Sequence, residues 1–95
     1  MEFLRDTAER YGKNRGYAEF CEANLRRVKA LEMASKSGGV GEREAAAYAS
    51  TAYGAALEDM QNAVADYETL RAKRDAAQMT IEVWRSQTSA RKAGI

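Results

Sequence analysis

Histidine and cysteine, two residue types often used in catalysis and metal binding, are nearly absent from this 95-residue sequence, whereas carboxylates are plentiful. The chain has no histidine, and its one cysteine, Cys21, falls on an apolar helical stripe, where a small buried side chain is more common than a nucleophile. With these residue types nearly absent, only oxygen ligands remain for a metal, and no calcium-binding loop is present. The sequence therefore predicts a protein that is not an enzyme and that has no cofactor or metal site.

Two further patterns resemble chemical sites but lack the residues such sites need. The carboxylates of Glu58, Asp59 and Asp66 fall on a predicted solvated helix face, with no arrangement that separates a proton donor from a charged base. The glycine-rich run at residues 38–41 precedes a predicted helix, but it lacks the lysine and hydroxyl residue of a phosphate-binding loop. It also follows a helix rather than a strand, so we interpret it as a turn.

The elements that position these residues are predicted to be two helices in one domain, residues 1–95. The first helix is expected at about residues 3–36, the turn at 37–41 and the second helix at about 42–90, with Gly41 as its N-cap residue. A proline-free second helix of that length would span about 70 Å. The fold expected is an all-α antiparallel helical hairpin, coiled-coil-like, with a long second helix that requires something to pack against.

Apolar spacing indicates which faces pack in this hairpin. In the first helix the stripe consists of Tyr17, Cys21, Leu25, Val28 and Leu31, at three- and four-residue steps. In the second helix a seven-residue repeat predicts a left-handed coiled-coil seam. Its two rows are Tyr53, Met60, Tyr67, Arg74, Ile81 and Thr88, and Ala56, Ala63, Leu70, Ala77, Trp84 and Arg91.

Arg74 interrupts this seam with a charge. An unpaired buried charge is costly, so the residue is expected to fix the register of the helices or to meet a partner's carboxylate. A guanidinium that extends to solvent at the edge of the seam is an equally weighted alternative.

Hairpin geometry predicts which residues meet across the seam. Folding about Gly39 places residue i of the first helix near residue 78 − i of the second, so Tyr11 should lie near Tyr67 and Leu4 near Arg74. By this rule the first helix covers nothing beyond about residue 77. Uncovered apolar side chains around a tryptophan are typical of a contact site. The contact residues expected here are Ile81, Trp84, Met79 and Val83.

Charge is segregated along the chain, although the net charge is only +1. Residues 1–36 carry a net charge of +2, residues 42–70 carry −5 and residues 71–95 carry +4. Opposite charges at the two ends of one long helix favour antiparallel self-association. We therefore expect a homo-oligomer, with a dimer favoured over higher states.

The basic end of the second helix leaves a nucleic-acid function open. Arg85, Arg91 and Lys92 follow Trp84 among several hydroxyl side chains, a mixture that suits contact with single-stranded nucleic acid. The alternative that we favour is a solvated helix C-terminus, where positive charge is favourable in any case. An accessory nucleic-acid-binding role is thus a second candidate.

The acidic half offers a third candidate. Glu58, Asp59 and Asp66 would present carboxylates where a partner expects phosphate, as an inhibitor of a host defence factor of the anti-CRISPR type would require.

Residues 66–74, 81–86 and 42–48 give the chain a resemblance to a known group of proteins. From about Val28 onward it looks like a family of small uncharacterised bacteriophage early-region proteins. Proteins of this kind are often encoded near phage recombination functions, which implies an accessory role around single-stranded DNA or its annealing proteins.

The sequence is thus interpreted as a phage- or prophage-encoded interaction module that self-associates and binds a protein partner. A single cysteine is typical of proteins in a reducing compartment. No apolar run has the length and flanking residues typical of a signal peptide or a membrane span. The bacterial cytoplasm is the expected location.

Overall fold

The computed structural model describes residues 2–94, and within that range the chain is helical except for two short connections. Helix α1 spans Glu2–Ala34, α2 spans Val40–Tyr48 and α3 spans Thr51–Ala93. The chain measures 78 × 23 × 14 Å along its principal axes, and most helix packing joins α1 to α3. The expected all-α fold, a hairpin with a long final helix, is confirmed.

The predicted seam of α3 is the face that packs on α1. Ala56, Ala63 and Leu70 are buried along it, and the larger Met60 and Tyr67 are half-buried between them. Small side chains on one row let the two backbones approach closely, while large side chains on the other row fill the space that remains. The core is accordingly long and thin.

On α1 the buried face overlaps the predicted stripe, but two residues of the stripe are exposed. Tyr17 is 55% exposed and Leu31 is 54% exposed, whereas Ala18 and Cys21 are buried against Ala63 of α3. The packed face of α1 continues through Asn14, Leu25 and Val28 at three- and four-residue steps, which leaves Tyr17 and Leu31 at its margin. Three of the five predicted residues, Cys21, Leu25 and Val28, thus lie on the packed face of α1, and the other two lie on its margin.

The register of the hairpin is fixed near its open end. The rings of Tyr11 and Tyr67 stack with centroids 5.5 Å apart, and their hydroxyl oxygens are 3.4 Å apart. Nη1 of Arg74 donates to the carbonyl oxygen of Leu4 at 2.6 Å and to Oγ1 of Thr7 at 2.7 Å. These contacts confirm the pairing of residue i with residue 78 − i.

The segment predicted as one helix from about residue 42 to 90 is two helices in the structure. Ser50 adopts an extended conformation (φ −71°, ψ 149°), and its Oγ accepts a hydrogen bond from the Tyr53 amide at 3.1 Å. The same hydroxyl donates to the carbonyl oxygen of Ala47 at 2.7 Å. Serine competes with the helix in this way because its short side chain bonds to the neighbouring backbone.

The turn also begins and ends differently from the prediction. Helix α1 ends at Ala34, Gly38 adopts the left-handed conformation (φ 107°), and Gly39 rather than Gly41 is the N-cap of α2. This places Glu42 three residues after the cap, where its carboxylate folds back against Gly38 and lies near the positive end of the helix.

Helix α2 is held against α1 by a small polar group. Nζ of Lys29 donates to the hydroxyl of Tyr48 at 2.7 Å and to Oε1 of Glu44 at 3.2 Å. Ala47 is fully buried beneath these residues, and the rings of Tyr48 and Tyr53 meet edge to face across the break. The short helix therefore closes the turn end of the hairpin.

Replacing Arg74 with alanine is expected to lower the free energy of unfolding by about 1–3 kcal/mol, because two hydrogen bonds from a charged, half-buried donor are lost. Hydrogen exchange in the first two turns of α1 should speed up, since those turns lose their link to α3. Arg71→Ala is the matched control, an exposed arginine whose one ion pair within residues 2–94 is with Glu68, and should change stability by less than about 0.5 kcal/mol. Equal effects of the two substitutions would contradict the register role of Arg74.

Alanine substitutions at two glycines should shift stability in opposite directions. Gly38→Ala is expected to cost about 1–2 kcal/mol, because an added Cβ at this left-handed position meets the Glu42 carboxylate. Gly12→Ala, in the exposed middle of α1 with open space around it, should gain about 0.5–1 kcal/mol. Chemical denaturation followed by circular dichroism measures both, and a stabilising Gly38→Ala would refute the assigned turn.

Candidate protein-contact surface

The last part of α3 extends past the end of α1. Leu4, near the start of α1, contacts Arg74 of α3. Since α1 begins at Glu2, it covers α3 only as far as about residue 77. We call residues 78–93 the overhang. It continues α3 for about 24 Å without a neighbouring helix among the described residues.

The overhang carries four large apolar side chains. Met79 is 61% exposed, Val83 is 48% exposed and Trp84 is 65% exposed, while Ile81 is half-buried. Most of the apolar surface of this segment is therefore in water. The structure thus places the four residues predicted as contact anchors together on one helical segment.

These side chains divide between two sides of the helix. Ile81 and Trp84 continue the seam that packs on α1, and we call them the seam face. Met79 and Val83 lie about 160° away from Ile81 around the helix axis, and we call them the outer face. Trp84 also borders the outer face, because its side chain lines one groove with Ile81 and a second groove with Met79 and Val83.

The two grooves beside Trp84 are open depressions on the helix surface. The outer groove has a volume of about 340 Å³, and the seam groove has a volume of about 290 Å³. Thr80 lines both of them, and Gln87 lines the outer groove. Sequence reasoning missed these two residues, although their positions four residues before and three residues after Trp84 place them next to its ring.

Arg74, which the sequence associated with this surface, lies at its border with the hairpin. Its Nη1 bonds to α1, and its guanidinium lies 4.9 Å from the centre of the Tyr11 ring. Thr7, which accepts one of these bonds, is itself buried and donates to the carbonyl oxygen of Phe3. The side chain of Arg74 is thus used within the hairpin and is separate from the exposed surface.

The basic residues predicted as nucleic-acid contacts are all exposed on the overhang. Arg91 and Lys92 occupy the last turn of α3, and Arg85 lines the seam groove. None of the three forms an ion pair with another residue in the range 2–94. They place positive charge on the C-terminal side of Trp84.

The acidic residues lie elsewhere on α3. Glu58, Asp59 and Asp66 are exposed beside the hairpin, and Asp66 is about 27 Å along the helix from Trp84. Asp66 lines a shallow groove together with Arg10 and Lys73. The structure therefore separates the acidic surface from the overhang.

The pairing of residue i with residue 78 − i predicts that Arg10 and Lys13 come close to Asp66 and Glu68, but no ion pair joins these two sets within residues 2–94. Lys13 pairs with Glu9 on its own helix at 3.1 Å, and Glu68 pairs with Arg71 at 3.6 Å. Neighbours three or four residues apart on one helix are closer than partners across the seam, which explains the difference.

Perturbed titratable groups occur in the hairpin and belong to its packing. The hydrogen bond to Tyr48, supported by Glu44, raises the pKa of Lys29 above its ordinary value. The hydrogen bond to Tyr11 raises the pKa of Tyr67. Neither group lies on the overhang.

Comparison with known proteins gives no relative for this chain. No family model, no curated protein and no solved structure matches it. The resemblance to bacteriophage early-region proteins accordingly stays a prediction.

Within residues 2–94 no three histidine, cysteine or acidic side chains gather in a metal-binding arrangement. In the same range, no helix has both the length and the apolar character needed to span a membrane.

Alkaline pH is expected to destabilise the hairpin. Because the pKa values of Lys29 and Tyr67 are raised in the folded chain, the folded state holds protons that the unfolded state has already released above about pH 10. The free energy of unfolding should therefore be flat near pH 8 and fall as the pH rises past 10. Denaturation midpoints between pH 8 and 11 measure the slope, and Tyr67→Phe should make it shallower. A wild-type stability that rises over this range would contradict the assigned hydrogen bonds.

Proposed function

We propose that this chain is a non-enzymatic protein-interaction module that acts through the apolar faces of its overhang. The observation that carries the proposal is the exposure of Trp84 beside Met79 and Val83 on a segment that no other described helix covers. Exposed apolar surface of this kind is costly in water, and tryptophan is among the residues most enriched at the centres of protein interfaces.

The hairpin supports this function by presenting the overhang as a preformed helix. An isolated helix of about 16 residues is marginal in water, because its first turn is costly to form. Here α3 is already ordered along the seam before the overhang begins, so the overhang only extends an existing helix. A partner that binds it avoids most of the entropy loss of ordering a free peptide, which favours helix-in-groove recognition.

The charges around the faces add direction to the contact. Arg85, Arg91 and Lys92 leave the overhang basic, with Glu82 as its one acidic residue. A partner surface with an apolar groove and an acidic rim is therefore preferred, because complementary potentials speed encounter and fix orientation. The phage resemblance adds to the proposal that this partner belongs to a bacterial cell.

A photo-crosslinking residue in place of Gln87, which lines the outer groove, tests the proposal in cells that express the chain. We expect discrete covalent adducts with protein, because a bound partner would lie within a few ångströms of this position. The matched control carries the crosslinker at Gln61, an exposed glutamine of α3 beside the hairpin, and should give few adducts.

Two outcomes would overturn the proposal. Equal adduct yields at Gln87 and Gln61 would mean that the overhang is no more a contact surface than the rest of α3. Adducts with nucleic acid instead of protein would favour the function predicted from the basic residues. In the variant that carries the crosslinker at position 87, Val83→Ser should reduce the protein adducts. The circular dichroism spectrum should stay unchanged, since Val83 is exposed and its replacement costs little stability.

A further inference from the structure

We infer that the seam face of the overhang is occupied by the overhang of a second copy of this chain, packed antiparallel about a two-fold axis near Trp84. The inference rests on the proposed function and names the partner of one of the two faces. The outer face remains available for a different protein.

The first argument is continuity with the established packing. Helix α1 covers the seam of α3 as an antiparallel neighbour until Leu4 reaches Arg74, and beyond that point the same seam continues through Ile81 and Trp84. A second overhang that runs antiparallel to the first takes the position that α1 leaves empty. The seam of α3 is then covered along its whole length.

The second argument is length. With the axis near Trp84, residue i of one copy faces residue 168 − i of the other, so the end of each overhang at Ala93 lies beside Asp75 of the opposite α3. The two overhangs cover each other completely, and each ends where the other copy's α1 begins. Such an isologous contact is closed, which limits the assembly formed through this face to a dimer.

The third argument is charge. The last turn of α3 carries Arg91 and Lys92, and the opposite α1 begins with Glu2 in its first turn. Asp6 adds another carboxylate one turn further along α1. The meeting of a helix C-terminus with the N-terminus of the next helix also aligns the two macrodipoles head to tail. The arrangement therefore joins opposite charges at both ends of the interface.

Sedimentation equilibrium of the full chain tests whether this dimer forms. We expect a dimer for the wild type, and Trp84→Ala should weaken the association by about 30-fold or more, as loss of a central aromatic anchor does. Val83→Ser on the outer face is the matched control and should leave the mass unchanged. A wild-type monomer at high micromolar concentration overturns the inference, and so does a dimer that Val83→Ser dissociates while Trp84→Ala does not.

The orientation is tested with spin labels in a Cys21→Ala background, which removes the native thiol. Labels at Ser86 should lie close together in the dimer, and labels at Gln61 should lie about 70 Å apart, because each sits about 23 residues from the axis. Short distances at both positions would indicate a parallel dimer and overturn the inference.

Charge reversal gives an independent check. Arg91→Glu with Lys92→Glu should weaken the dimer, and adding Glu2→Lys and Asp6→Lys to the same chain should restore it. Weakening without restoration would overturn the assigned contact between the α3 end and the opposite α1.

The outcomes for the two proposals are separable. A monomeric chain that still forms protein adducts at Gln87 would overturn the second-copy inference and leave the proposed function standing. A dimer through the seam face with adducts only between copies would support the inference and limit the function to self-association. A monomer with no protein adducts would overturn both.

Discussion

The contact between Arg74 and the start of α1 fixes the register of the hairpin and, with it, the length of α3 that α1 leaves uncovered. By donating to the carbonyl oxygen of Leu4 and to the hydroxyl of Thr7, the guanidinium fixes the point along α3 at which α1 begins. A slip of one helical turn would change the exposed length of α3 by about 5 Å. The charge that interrupts an otherwise apolar seam thus defines where packing within the chain stops and where the overhang begins.

The thin core explains why so few side chains are fully enclosed. Alanine and cysteine supply most of the buried apolar positions, and Leu70 is the one larger apolar residue buried within residues 2–94. Small residues allow close backbone approach but remove little apolar surface from water, so each contact contributes modestly. Stability then depends on directional interactions at the two ends of the hairpin, the Arg74 contacts at one end and the bonds of Lys29 to α2 at the other.

The heptad spacing of α3 predicted its buried face, because a seven-residue repeat constrains one surface over many turns. The hairpin register followed from folding the two arms about Gly39. On α1 the apolar spacing predicted the central residues of the packed face, Cys21, Leu25 and Val28, but it also included Tyr17 and Leu31, which lie on the exposed margin. The break at Ser50 was also missed. Its signal is one serine, and the hydroxyl stops the helix only through two local hydrogen bonds. The overhang was predictable because it follows from the register and from the lengths of the two arms.

Trp84 is the one tryptophan in the sequence, and it lies on the overhang between the two faces. The intrinsic tryptophan fluorescence of this protein therefore originates entirely from that surface. Five tyrosines distributed over the hairpin contribute the remaining ultraviolet signal. Selective excitation of the indole therefore monitors this surface without any added label. Any molecule that covers Trp84 should change the wavelength and the intensity of its emission.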